Sequence, residues 1–425
     1  MELKYICPRG TRDVVYPETE IWQKIFSTAK EIFNLYNYKE ILTPIFETTE
    51  LFIKGTGEDT DIVTKEMYTF PDKKGRSLTL RPEGTPGVTR AFLEQKMYVE
   101  SPLVKLWYAG PMFRYERKQA GRQRQFAQIG VEAFGSSDPR IDVESIEILF
   151  LLYEKLGLKD VFLGINSIGC ENCRPEYKNN LKEFLSSVKS ELCVDCQTRF
   201  ERNPLRVLDC KNISCQKFLG NIPNIQNFIC EDCKTHFDKV RHYLELVDIK
   251  YEINNRLVRG LDYYTKTVFE TFSRSSALGS QNSLCGGGRY DNLVSVYGGD
   301  KTPAFGWAFG VERLAMVLAA QKDWHKVPPE YFIITLGAQA QEAGFKLLSQ
   351  LRKNNITAEI DYIHGAGGLK KQLKYADKLG CINVIIIGED EINKGQFVLK
   401  NMVTGEQKFH PFNFDEMGNN HFPFL

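Results

Sequence analysis

No apolar run in this chain reaches the ~20 residues needed to cross a bilayer, and the opening MELKYICPRG carries no hydrophobic signal core. A soluble, cytoplasmic protein is therefore expected. Net charge is nearly absent as well: Lys and Arg total 55 against 54 Asp and Glu. That balance disfavours a general nucleic-acid-binding module, and any basic footprint must be local. A disulfide framework is also disfavoured, because eleven cysteines is an odd number in a long, unsignalled chain. At 425 residues the chain exceeds the size of a single growing core, so two or three domains are expected.

What is present centres on Leu78 to Gly135. FRYERKQAGRQRQFAQIGVEAFG reads as two antiparallel strands joined by a basic loop. Side chains alternate faces along a strand, so Ala127, Ile129, Val131 and Ala133 form an apolar face. The opposite face gathers Arg114, Glu116, Gln128 and Glu132 around Gly130, where a ligand has room to approach. Cross-strand ion pairs on a solvated face are the ordinary explanation for such a surface. The nearby RPEGT and the arginines at 117, 122 and 124 favour a recognition surface instead.

These residues resemble motif 2 of the class II aminoacyl-tRNA synthetases, in the form found in the histidyl-tRNA synthetase family. RPEGT at 81–85, LVRGLDYYTKTVFE at 257–270, CGGGRYD at 285–291 and PAFGWAFGVERL at 303–314 resemble its other signatures, in the right order. The resemblance covers nearly the whole chain. It implies an α+β catalytic domain on a mixed, mainly antiparallel sheet, with a helical insertion and a C-terminal α/β anticodon-binding domain.

Along the chain, Pro17 and Glu18 open a helix with Ile21, Ile25, Ala29, Ile32 and Phe33 on one stripe. YKEILTPIFETTELF follows as an extended segment that Pro44 suits to a sheet edge. By resemblance it is motif 1, which implies a homodimer. A hairpin turns at Asp72–Gly75, and a helix begins at Pro139. From about 170 to 247 the chain becomes helical and polar, an insertion within a catalytic domain spanning 1–325. The strand pattern then returns with YEINNRLV, VFETFS and a turn at Gly286-Gly287-Gly288. Ala308–Ala320 reads as a buried helix that carries Glu312 and Arg313, with either a salt bridge or a ligand for Arg313. The proline-bearing DWHKVPPE supplies a linker at 326–330. Residues 331–425 read β-α-β-α-β with a final hairpin at Thr404-Gly405, and Lys370, Lys374 and Lys378 share one helix face.

The resemblance also implies a two-step reaction. Histidine attacks the α-phosphorus of ATP, which comes with Mg²⁺, and the adenylate then acylates tRNA(His). Arg114, Arg259 and Arg313 match the catalytic arginines, two on the α-phosphate and Arg313 near the terminal phosphate. Arginine suits this work because its planar guanidinium stays charged and meets phosphate oxygens with paired donors. Glu116 matches the adenine-amino acceptor. Glu83, Thr85 and Gln128 match positions around the histidine ammonium, and Glu132, Tyr263 and Tyr264 positions near the imidazole. Arg114 and Arg259 also border the bound amino acid. Arg117 and Gln119 match contacts to the tRNA acceptor end. No segment calls for an editing domain, as expected where hydrogen-bonding partners reject analogues unaided.

Eight cysteines fall in the insertion: Cys170, Cys173, Cys193, Cys196, Cys210, Cys215, Cys230 and Cys233. Their short spacings suit structural Zn²⁺, although spacing does not assign the pairing. Reduced thiols packing as small hydrophobes are the alternative. A second function class is a histidine-binding regulatory subunit of ATP phosphoribosyltransferase. Such paralogues tend to lose the RGLDYY block and the anticodon domain, and both are present here.

Overall fold

The computed structural model describes residues 4–116, 121–279, 282–321, 327–364 and 368–411. Arg117, Gln119 and part of the proline-bearing linker lie outside them. The chain divides into two compact units, Met1–Trp324 and His325–Leu425.

In the first unit the strands are, in chain order, β1 (Lys39–Glu40), β2 (Phe46–Thr48), β3 (Tyr68–Pro71), β4 (Ser77–Leu80), β5 (Val104–Phe113), β6 (Gln125–Phe134), β7 (Val161–Ser167), β8 (Tyr251–Ile253), β9 (Thr265–Ser273), β10 (Ser283–Arg289) and β11 (Ala304–Gly310). Eight of them form one sheet in the order β1-β5-β6-β11-β10-β9-β7-β8. Only the outermost pairs, β1 with β5 and β7 with β8, are parallel. The remaining pairs are antiparallel, so the sheet is mixed and mainly antiparallel. β2, β4 and β3 make a separate small sheet.

The alternation on β6 decides which face is core. Ala127, Ile129 and Val131 pack with Ile25, Ile32 and Phe33 of the helix Glu18–Leu35 and with Leu149 and Leu152 of the helix Pro139–Lys155. Phe33 is fully buried, its ring 5.2 Å from that of Trp107. Truncating such a ring to alanine costs about 3–5 kcal/mol. The other face of the sheet carries Tyr108, Met112 and Phe134 into a second cluster with Tyr263, Tyr264 and Tyr290.

Four local expectations are corrected. Gly286, Gly287 and Gly288 do not turn the chain; they lie inside β10, between β9 and β11. A Cβ on Gly287 would stand 2.3 Å from the Gly306 carbonyl oxygen, so close strand approach explains the glycine. Ala308 to Gly310 end β11, and the helix begins only at Val311. An apolar run read without its neighbours does not separate a central strand from a buried helix. In YEINNRLV only Tyr251–Ile253 is strand, so Arg259 sits in the long loop before β9 and not at a strand end. The end of the expected extended segment, Thr49 to Phe52, is instead the start of the helix Thr49–Thr56.

The 170–247 region contains the helices Arg174–Val188, Val194–Arg202, Ile213–Leu219 and Glu231–Leu246. Phe237, Val240 and Leu244 of the last helix join the core under the eight-stranded sheet.

The second unit holds β12 (Tyr331–Leu336), β13 (Ala358–Ile360), β14 (Asn383–Gly388), β15 (Gln396–Asn401) and β16 (Gln407–Pro411), ordered β13-β12-β14-β15-β16. The first three are parallel and the last two antiparallel. Helices Ala338–Lys353 and Leu369–Leu379 pack against opposite faces, the second closed by Gly380 at φ +79°. Lys370, Lys374 and Lys378 are exposed along it.

Candidate active site

The end of β5, the start of β6, the loop before β9 and the start of the helix Val311–Gln321 surround a cleft of ≈ 570 Å³. Its walls carry six cationic side chains, among them Arg114, Arg259 and Arg313, against four carboxylates. One of the four, Glu312, accepts from the Ala127 amide at 2.9 Å and is pushed to about 7 by burial. The balance therefore favours an anionic ligand.

Each arginine is held by a different device. Arg114 Nε donates to the Pro82 carbonyl at 2.8 Å, and its guanidinium lies 5.3 Å from the Phe126 ring centre. Arg313 donates to the Ser283 carbonyl at 2.9 Å and, among the described residues, has no carboxylate within ion-pair distance. The expected choice between a salt bridge and a ligand for Arg313 thus loses its first option within that set. Arg259 pairs with Glu270 at 3.1 Å and lies over Gly286, where any Cβ would meet its guanidinium. Its Nε is buried with no hydrogen-bond partner among the described residues, as is Gln128 Oε1. Glu116 lies 3.8 Å from Arg114 and 3.2 Å from Arg122.

A second set of predicted residues is buried. Glu83 accepts from Thr56 Oγ1 at 2.7 Å and from the Tyr263 hydroxyl at 2.8 Å. Burial holds its carboxyl above the usual range. Glu132 is fully buried; it accepts from Thr85 Oγ1 at 2.6 Å and from the Tyr290 hydroxyl. Burial pushes it up to about 8, against the opposing effect of these two donors. Tyr263 and Tyr264 lie with ring centres 4.7 Å apart, beside Tyr290. Gly130 differs from its expected role: the Tyr108 ring occupies the space beside it, 2.5 Å from where a Cβ would stand.

The sequence reading missed Thr56, Tyr108, Glu270 and Tyr290. Tyr290 lies inside the CGGGRYD block, and Tyr108 faces Gly130 across the β5–β6 ladder. A large aromatic opposite a strand glycine is a usable signal for such a filler.

The histidyl-tRNA synthetase family model matches residues 10–172 and 221–314, and an anticodon binding domain model matches 330–417. The chain belongs to the histidyl-tRNA synthetase family. The histidine–tRNA ligase of Halothermothrix orenii is 51% identical over 404 residues, covering 94% of this chain and 95% of that one. That of Acetivibrio thermocellus is 49% identical over 403 residues, covering 94% and 96%. Among solved structures, the apo histidyl-tRNA synthetase of S. aureus superposes with a TM-score of 0.78 at 38% identity, covering 96% of this chain and 97% of that one.

For a member of this family, the stretch the family model leaves unmatched is informative. It runs from 173 to 220 and holds five of the eight insertion cysteines. The fold sorts all eight into two groups, Cys170, Cys173, Cys230 and Cys233 in one and Cys193, Cys196, Cys210 and Cys215 in the other. Within each group the sulfurs lie within 4.8 Å of one another.

Proposed function

We infer that this chain attaches L-histidine to tRNA(His) through a histidyl-adenylate, with release of AMP and diphosphate. The observation that carries this reading is the meeting of Arg114, Arg259 and Arg313 in one cleft, with the buried Glu83 close enough to Arg114 and Arg259 for their charges to act on its carboxyl. Arg114 and Arg259 flank the α-phosphate and stabilise the charge that develops as the histidine carboxylate attacks. Arg313 takes the terminal phosphate, and Glu116 receives the adenine amino group. Mg²⁺ accompanying ATP would offset charge on the triphosphate, and Glu270 would offer the cleft a hard oxygen ligand of the kind this ion prefers.

Glu83 and Thr85, with Gln128 and its unpartnered carbonyl oxygen, receive the histidine ammonium. Glu132, Tyr263 and Tyr264 frame the imidazole. Arg117 and Gln119, outside the described residues, contact the tRNA acceptor end. The second unit, with its lysine row, meets the anticodon arm. The working form is a cytoplasmic homodimer. No helix among the described residues is long and apolar enough to cross a membrane. Structural Zn²⁺ on the insertion cysteines is a further part of the proposal.

The regulatory-subunit reading is not favoured. A protein titled as an ATP phosphoribosyltransferase regulatory subunit/histidyl-tRNA synthetase shares the fold at only 20% identity. The test is histidine-dependent exchange of pyrophosphate into ATP. Exchange above background supports adenylate formation, and its absence in a protein that binds histidine returns the regulatory reading.

A further inference from the structure

Thiolates bind Zn²⁺ at about 2.3 Å in a tetrahedron, which places sulfurs about 3.8 Å apart. Cys170 and Cys173 have sulfurs 3.5 Å apart, Cys173 and Cys233 3.8 Å, and Cys193 and Cys210 3.8 Å. A disulfide would bring two sulfurs to about 2.05 Å and would need no third or fourth neighbour. Each group instead offers four sulfurs to a single centre. Backbone amides point at the same atoms: Cys230 N donates to Cys173 Sγ at 3.0 Å, and Cys193 N to Cys215 Sγ at 3.3 Å. Such outer donors orient metal ligands.

Both groups tie to one loop. Arg174, next to Cys173, donates to the carbonyl of Tyr264. Gln216, next to Cys215, accepts from Arg256 at 3.2 Å. Asn203, between Cys196 and Cys210, donates to Asp262 at 3.0 Å. These attachments bracket Arg259 and Tyr263, in a stretch with no regular secondary structure of its own from 254 to 264.

We propose that the insertion holds two structural Zn²⁺ ions, one on Cys170, Cys173, Cys230 and Cys233 and one on Cys193, Cys196, Cys210 and Cys215, and that these centres position the loop carrying Arg259, Tyr263 and Tyr264. The positioning half rests on the ligase reading above; the metal half does not. The first centre joins the two ends of the insertion at its root. The second stiffens the helices that the family model leaves unmatched. Metal loss frees the loop, and a displacement of about 1 Å at such a site costs up to ~10²-fold in rate.

The full chain, purified without added metal, is assayed for zinc and iron by mass spectrometry, then for histidine-dependent pyrophosphate exchange. Two zinc per chain are expected, one in Cys173→Ser, one in Cys196→Ser and two in Cys381→Ser. Arg174→Ala should keep both ions yet lose at least ~10-fold in exchange, with circular dichroism unchanged. Zinc near zero, or iron in its place, overturns the metal assignment whatever the exchange rate. Two zinc with full exchange in Arg174→Ala overturns the positioning role alone. Two zinc with no exchange in the parent chain overturns the ligase reading and, with it, the positioning role, while the metal assignment stands.

Discussion

Replacing Glu132 with glutamine should make the protein more stable in mild alkali and ~10–10²-fold less active toward histidine. The Glu132 carboxyl is held at about 8, against an ordinary value of 4.5. Its folded value lies above its unfolded one, so its contribution to stability is fully present below ~4.5 and is lost as pH rises through about 8. Each unit of difference is worth about 1.4 kcal/mol, so the loss approaches ~5 kcal/mol by pH 8. Glutamine does not titrate and escapes this loss. It has one carbonyl oxygen for two donors, Thr85 and Tyr290, and an unsatisfied donor costs ~1–3 kcal/mol. The variant is therefore weaker than the parent at pH 5 and stronger by ~2–4 kcal/mol at pH 8. Three of the four tryptophans, at 22, 107 and 307, lie among the described residues of the first unit and the chain has none after 324, so urea unfolding followed by their fluorescence reports on that unit. Parallel pH profiles for parent and variant between pH 5 and 8.5 would refute the reasoning. Histidine activation, assayed above pH ~8 where the Glu132 carboxylate is charged, should fall ~10–10²-fold, the worth of a charged hydrogen bond, with ATP binding unchanged.

Arg259→His removes one of two cations from the α-phosphate and should slow single-turnover adenylate formation by ~10²–10³, while histidine binding measured separately changes much less. An unchanged rapid-quench rate would take Arg259 out of the mechanism. A chain ending near Val327 should still exchange pyrophosphate but charge tRNA poorly; full aminoacylation would give the second unit another role. Gly287→Ala puts a Cβ 2.3 Å from a backbone oxygen in the middle of the sheet and should cost ~1–3 kcal/mol, read as a lowered Tm.

Residues whose environment follows from their own strand were legible in advance. The apolar and polar faces of β6 came from alternation alone, as did the helix Glu18–Leu35 from its stripe. Residues whose meaning depends on a distant neighbour were not. Gly286 is small because Arg259 lies on it, and Gly130 because Tyr108 does; neither partner adjoins it in sequence. Ala308 belongs to a strand because β6 and β10 flank it, which no window of apolar residues reveals. The cysteine grouping depends on helices returning 60 residues later, as Cys233 does to Cys173. Of the arginines proposed for catalysis, Arg114 was singled out by the alternation of its hairpin, whereas Arg259 entered only through the resemblance, because an irregular loop leaves no periodic trace.

The seam between β6 and β11 has a consequence for synthesis. β6 is finished at Phe134, but its second neighbour begins only at Ala304. A ribosome working at ~5–20 residues per second takes about 10–35 s to cover that stretch. Throughout this interval one edge of β6 presents unpaired backbone N–H and C=O groups and is open to association between nascent chains. Soluble yield is then the property that the rate of translation should change, with slower synthesis lowering it. Equal yields at fast and slow translation would show that the open edge is covered by other means.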